Sequence, residues 1–143
     1  MIQLLKAINT ALTADATYMA LATGGVHQSM APPKTVPPFG IFYPVPAAGP
    51  DYVFSGAEAY DEVLIAHKGV AADKDDGSAA GVDLAEQIRE RAKVVLSNAN
   101  LTVTGFNLLS LLCDQALPDM SEEVGGRVRY HRGDYFRALL QKV

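Results

Sequence analysis

Among the residues whose types and spacing could do chemistry, the acidic run at 73–81, DKDDGSAAG, is the densest. Counted as a calcium loop, it places Asp73 and Asp75 at the first and third ligand positions, with Asp76 beside them. The sixth position needs glycine and holds Ser78; the twelfth needs a bidentate glutamate and holds Leu84. The run therefore reads as a solvated, flexible loop, with Asp73, Asp75 and Asp76 as candidate partner contacts. His27, His67 and His131 lie far apart, and none has a second His or Cys at a ligand spacing such as i, i+4. Packing or surface roles are expected for them. Ser29 and Ser55 lack a GxSxG elbow, and Cys113 sits in the apolar run LLSLLC at 108–113, where burial is expected. No GxxxxGK[ST] and no GxGxxG between a strand and a helix offers a phosphate cradle. Arg132, Gly133 and Asp134 spell an adhesion tripeptide, a three-residue coincidence inside a strand or tight turn.

Arginine supplies the remaining pattern. Arg127, Arg129 and Arg137 share one strand parity with His131, opposite Val128, Tyr130, Phe136, Ala138 and Leu140. Such a face is either an ordinary polar outer sheet face or a contact for an acidic partner, a protein before a phosphate backbone. Gly133 in the middle predicts a bulge or tight turn.

The elements that must position these residues follow from a chain of 143 residues, enough for one domain with an ordinary core. Apolar residues make up 49% and charged residues 20%, a globular composition, and the formal charge of −4 lacks the basic excess of a dedicated nucleic-acid binder. A single cysteine excludes an internal disulfide framework and a multi-cysteine metal site. No apolar stretch approaches the ~20 residues of a membrane span, and Lys6 interrupts the start where a secretory signal would need a long apolar region. Folding in a reducing cytoplasm is the simplest expectation.

Ile2, Leu5, Ile8 and Leu12, with Leu4, recur at helical spacing, and Thr13 or Asp15 can cap a second short turn ending at Gly24 and Gly25. Residues 24–43, GGVHQSMAPPKTVPPFGIFY, follow as a stiff junction. Pro32, Pro33, Pro37 and Pro38 fix φ and remove donors, so neither a helix nor a central strand can cross it. A strand over 39–43 is expected, ended by Pro44 and Pro46, with a short one at 52–54 and a long one at 60–70 whose first half is apolar on both faces. Asp83 and Glu86 resemble a capping box for a helix with the stripe Leu84, Ala85, Ile88, Ala92 and Val95. Glu86, Arg89, Glu90 and Lys93 should face water. A central strand at 106–114, a polar loop at 118–123 and a last strand region after Gly125 and Gly126 complete an α+β fold. Its sheet should be mainly antiparallel, of about four strands, packed on an N-terminal helix and one central amphipathic helix. The apolar parity between sheet and helix argues against a buried site.

This order of features resembles the tail terminator (tail completion) proteins of long-tailed bacteriophages and prophages. The resemblance rests on GGV at 24–26, PPFGIFY at 37–43, YDEVLIAHKGV at 60–70, LAEQIRERAKVVL at 84–96 and YHRGDYFRALL at 130–140. It implies a single domain over 1–143, with a Pro-rich arm at 24–38 and the acidic loop at 73–81. It also implies a non-enzymatic virion protein, without cofactor or metal, made in the host bacterial cytoplasm and located at the tail and neck. Such proteins form a ring, usually a hexamer, on the head-proximal end of the tail tube. Their implied partners are further copies, the tube protein and a head-completion or neck protein. Neither a membrane nor sequence-specific nucleic acid is implied, though DNA passes through the lumen. Candidate contacts on the arm are Pro32, Pro33, Lys34, Pro37 and Pro38. The alternatives are another neck component, such as a head-tail joining or stopper protein, and a small α+β enzyme or ligand-binding module.

Overall fold

The chain opens with helix α1 (Ile2–Ala14), whose Leu4, Leu5, Ile8 and Leu12 are buried, one face of a 3.6-residue period. Ile2, expected on that face, is exposed at the helix start. The computed structural model describes residues 2–46, 50–52, 58–74 and 80–143. Asp15 caps α2 (Ala16–Leu21) by accepting from the Tyr18 amide at 2.7 Å, the exchange that satisfies a helix's first unpaired donors. The same carboxylate takes two hydrogen bonds, of 2.9 and 2.7 Å, from Arg91 on α3 (Gly81–Leu96), so one residue starts one helix and ties it to another. Helix α3 buries Gly81, Ala85, Ile88, Ala92 and Leu96, one register along from part of the expected stripe. Asp83 does not form a capping box: the helix begins at Gly81, ahead of it, and Asp83 lies inside the first turn.

Helices α1, α2 and α3 share one core with a sheet of seven strands among the described residues, whose main path runs β1 (Val26–Gln28), β2 (Phe39–Val45), β4 (Glu58–Ala72), β7 (Arg127–Lys142) and β5 (Phe106–Ala116). An α+β fold results, with more strands than the sequence shows. Strands β4 (Glu58–Ala72) and β7 (Arg127–Lys142) form its centre, paired antiparallel from Asp61↔Leu140 to Ala72↔Arg129 without a register shift. Gly133 therefore makes no bulge. It is glycine because a Cβ there would run into the His67 backbone carbonyl and the Leu117 side chain. β2 (Phe39–Val45) pairs antiparallel with β4, and β1 (Val26–Gln28) pairs parallel with β2. Pro44 does not end β2. It sits in the strand opposite Ile65, past the last residue paired with β1, at a place where a missing N–H is tolerated. β3 (Pro50–Tyr52) pairs with the start of β4, overlapping the expected 52–54 strand only at Tyr52; residues 53–54 lie outside the described ones.

Along the opposite side of β7, β5 (Phe106–Ala116) covers its C-terminal part and β6 (Met120–Val124) its N-terminal part. β5 is thus an edge strand rather than a central one. Register shifts between Leu108 and Ser110 and between Cys113 and Gln115 break its alternation, so that Leu111 is buried while Leu109 and Leu112 are exposed. Cys113 is exposed as well, against expectation. The supposed polar loop at 118–123 is largely β6, joined to β7 through Gly125 (φ 62) and Gly126 (φ 81). Two positive φ angles are what a two-residue hairpin turn demands.

Candidate functional site

The Pro-rich arm is anchored at both ends. β1 lies beside β2 with Val26 opposite Gly40 and Gln28 opposite Phe42, and the Gly24 amide donates to the Pro38 carbonyl at 2.7 Å. The Ser29 amide donates to Phe42 at 2.8 Å. A Cβ at Gly24 would strike the Val36 carbonyl, so the chain can close there only with glycine. Between these anchors the Thr35 amide and hydroxyl both donate to the Pro32 carbonyl, at 3.1 and 2.6 Å, across Lys34 in the left-handed region (φ 67). Pro32, Pro33 and Lys34 are exposed at the tip, and Pro37 and Pro38 are half-buried at the base. The result is a fixed projection beside the sheet edge rather than a trailing arm.

Of the acidic loop, Asp75 and Asp76 lie outside the described residues. Asp73 is built into the fold: its carboxylate accepts from the Gly81 amide at 3.2 Å and from the Tyr130 hydroxyl at 3.1 Å. It bridges the ends of α3 and β7. The arginines of β7 are not gathered into a basic strip either. Arg137 pairs with Glu62 on β4 and with Asp114 on β5, the latter at 3.1 Å. Arg129 stands opposite Glu122 and Arg127 opposite Val124 in the β6–β7 hairpin. Glu122 also bonds His131 Nε2 at 2.9 Å. An ion-pair lattice of this kind leaves little excess positive charge for a phosphate backbone.

Between sheet and helices the structure holds polar groups where the strand parity predicts apolar ones. His67, fully buried on β4, makes a 2.7 Å hydrogen bond through Nε2 with the Tyr18 hydroxyl, and its Nδ1 has no partner. Burial drives the His67 pKa down to about 4, and the same loss of water raises that of Tyr18, so a neutral imidazole faces a neutral phenol. Asp134, directly across from His67 on β7, receives a fork of 2.8 and 2.9 Å from Arg89. Arg89 also reaches Glu86 at 3.0 Å. It does not face water as the helical pattern suggests: β7 offers it a carboxylate. A two-residue strand repeat and a 3.6-residue helix repeat describe each element alone, so this cross-element pair leaves no sequence signal.

The cluster is closed to reactants. Tyr18 and His67 have no exposed surface, and a Cβ at Gly40 would collide with the Tyr18 hydroxyl. On the opposite side of the sheet a cavity of about 310 Å3 opens beside the β5–β6 connection, walled by Tyr43, Lys68, Leu117, Met120, His131 and Gly133. Its lining is mostly apolar, with the Lys68 ammonium 6.0 Å from the Tyr43 ring centre and held below the ordinary lysine range by burial. No three His, Cys, Asp or Glu side chains converge as metal ligands among the described residues.

No protein-family description and no curated protein sequence matches the chain. Among solved structures it is similar to a chain of the virion of a native gene transfer agent particle. Identity is 22% and the TM-score 0.56, over 94% of this chain and 91% of that chain. A second solved structure is similar at 15% identity and a TM-score of 0.53, over 94% of both chains. These likenesses establish the fold.

Proposed function

We propose that the chain is a structural protein of a phage-type virion, and within it the tail terminator. It forms a ring, a hexamer, on the head-proximal end of the tail tube, stops tube polymerisation and offers a surface to the neck. The observation that carries this reading is the whole-length likeness to a chain of a gene transfer agent virion. The order of motifs from 24–26 to 130–140 supports the finer role. The sealed His67–Tyr18 pair weighs against an enzyme, because a reacting group must meet its substrate. The anchored projection at 29–38 suits a contact with an adjacent subunit or the tube, since a segment already held loses little freedom when it docks.

Deletion of the gene in its host, followed by electron microscopy of the particles, tests the role. Overlong tails are the expected result. Heads that leak DNA beside unattached tails of normal length would instead identify a stopper or joining protein. Normal infectious particles would remove the chain from the virion altogether.

A further inference from the structure

Exposed large apolar side chains gather at the two opposite edges of the sheet. Met30 (77% exposed) and Val36 (70%) stand on the 29–38 loop beside β1, while Leu109 (49%), Leu112 (46%) and Met120 (46%) stand on β5 and β6. Charge differs between the edges as well. Residues 16–50 hold no Asp or Glu and carry Lys34, whereas residues 106–126 hold Asp114, Asp119, Glu122 and Glu123 and no Lys or Arg. Asp114, Asp119 and Glu122 are matched by Arg137, Arg132 and His131 of β7, so the carboxylate offered to a neighbour is Glu123 on β6. An 11-residue edge strand with exposed leucines invites association unless a proper partner covers it. The register shifts in β5 interrupt a continuous backbone edge, which favours side-chain contact over an added strand.

We propose that the 29–38 loop of one copy seats on the β5–β6 edge of the next. Met30 and Val36 pack on Leu109, Leu112 and Met120, and Lys34 faces Glu123. The cavity of about 310 Å3 beside Met120 is the socket for one of the two apolar side chains. The inference rests on the ring reading above and specifies its contact. Because the two surfaces differ, the interface is head-to-tail, and it adds copies until the rotation closes.

Two double variants of the full chain test it by native mass spectrometry and sedimentation: Met30→Asp with Val36→Asp, and Leu112→Asp with Met120→Asp. All four side chains are exposed, so each variant keeps the wild-type circular dichroism. The wild type forms a closed oligomer and each variant alone is a monomer. Mixed together they give one-to-one dimers and nothing larger, because each supplies the surface the other lacks. Variants that assemble like the wild type, or a mixture that stays monomeric, overturn the contact while leaving the ring reading intact. A wild type that is itself monomeric overturns both. Should either aspartate variant misfold, a charge swap decides: Lys34→Glu and Glu123→Lys each weaken assembly, and combined in one chain they restore it. Failure of that restoration also overturns the contact.

Discussion

Arg89 and Arg137 both answer aspartates across the sheet, one on the helical face and one on the open face, under opposite physical conditions. Arg89 and Asp134 are 18% and 3% exposed at the side chain, and their fork spans α3 and β7 beside the buried His67. Arg137 is 41% exposed and shares its charge between Glu62 and Asp114 on the neighbouring strands. Water screens the second pair and barely reaches the first. One face is thus a closed structure in which each polar group depends on a particular partner. The other is an adaptable surface whose charges can be rearranged without disturbing the fold.

The contrast breaks most sharply at Phe136, fully buried between sheet and helices. Phe136→Ala should cost about 3–5 kcal/mol, through lost transfer energy and the cavity left behind. Leu112→Ala on the open edge should change stability by no more than about 0.5 kcal/mol. Urea unfolding of both variants measures the difference, and equal losses would mean that the open face has a core of its own.

Next in size is Asp134→Ala, which strands a largely buried guanidinium and should cost about 3 kcal/mol. Arg137→Ala should leave the urea midpoint unresolved from wild type, because its carboxylate partners return to water. A larger effect at Arg137 than at Asp134 would reverse the assignment of the two faces.

His67 sharpens the comparison through pH. Its folded pKa of about 4 lies below the ordinary 6.5, so between those values the unfolded chain binds more protons. Stability is full above pH 6.5 and falls as the pH drops toward 4, by about 1.4 kcal/mol per unit. His67→Gln should flatten that slope relative to wild type in urea titrations across the window. An unchanged slope would place the titrating groups elsewhere.

The smallest expected effect is at the helix junction. Asp15→Ala removes the cap of α2 and should cost about 1 kcal/mol. Asp15→Asn keeps a capping oxygen and should recover most of that loss, read as a shift in thermal midpoint. No recovery would mean that the link to Arg91 matters more than the cap.

Much of the fold was legible because local periodicity carries it. Ala85, Ile88 and Ala92 lie on the buried side of α3, Leu5, Ile8 and Leu12 on that of α1, and Gly25 turns with a φ of 94 where the helical pattern stops. β6 was illegible for the same reason. All five of its residues, MSEEV, are exposed, so no alternation marks it, and only its pairing with β7 makes it a strand. The run LLSLLC looked central because consecutive apolar residues usually mean burial on both faces; register shifts turned two of its leucines outward instead. Of the candidate contacts, Pro32, Pro33 and Lys34 are exposed at the arm tip, and Asp73 and Arg137 have partners within the chain.

By itself, then, the sequence determined which segments become helices or long strands, where glycine stops them, and that they combine as an α+β fold. It also placed Lys34 and four of the eight prolines in one edge segment without carboxylates, and four carboxylates without Lys or Arg in another. Tertiary structure alone decided which strand lies at the edge, that Arg89 meets Asp134, and that His67 is sealed against Tyr18. The division has one physical cause. Periodicity records the face a residue turns within its own element, over a few residues of chain. Whether that face meets water, a helix or a neighbouring carboxylate is fixed by segments dozens of residues away, through packing and pairing that no local repeat encodes.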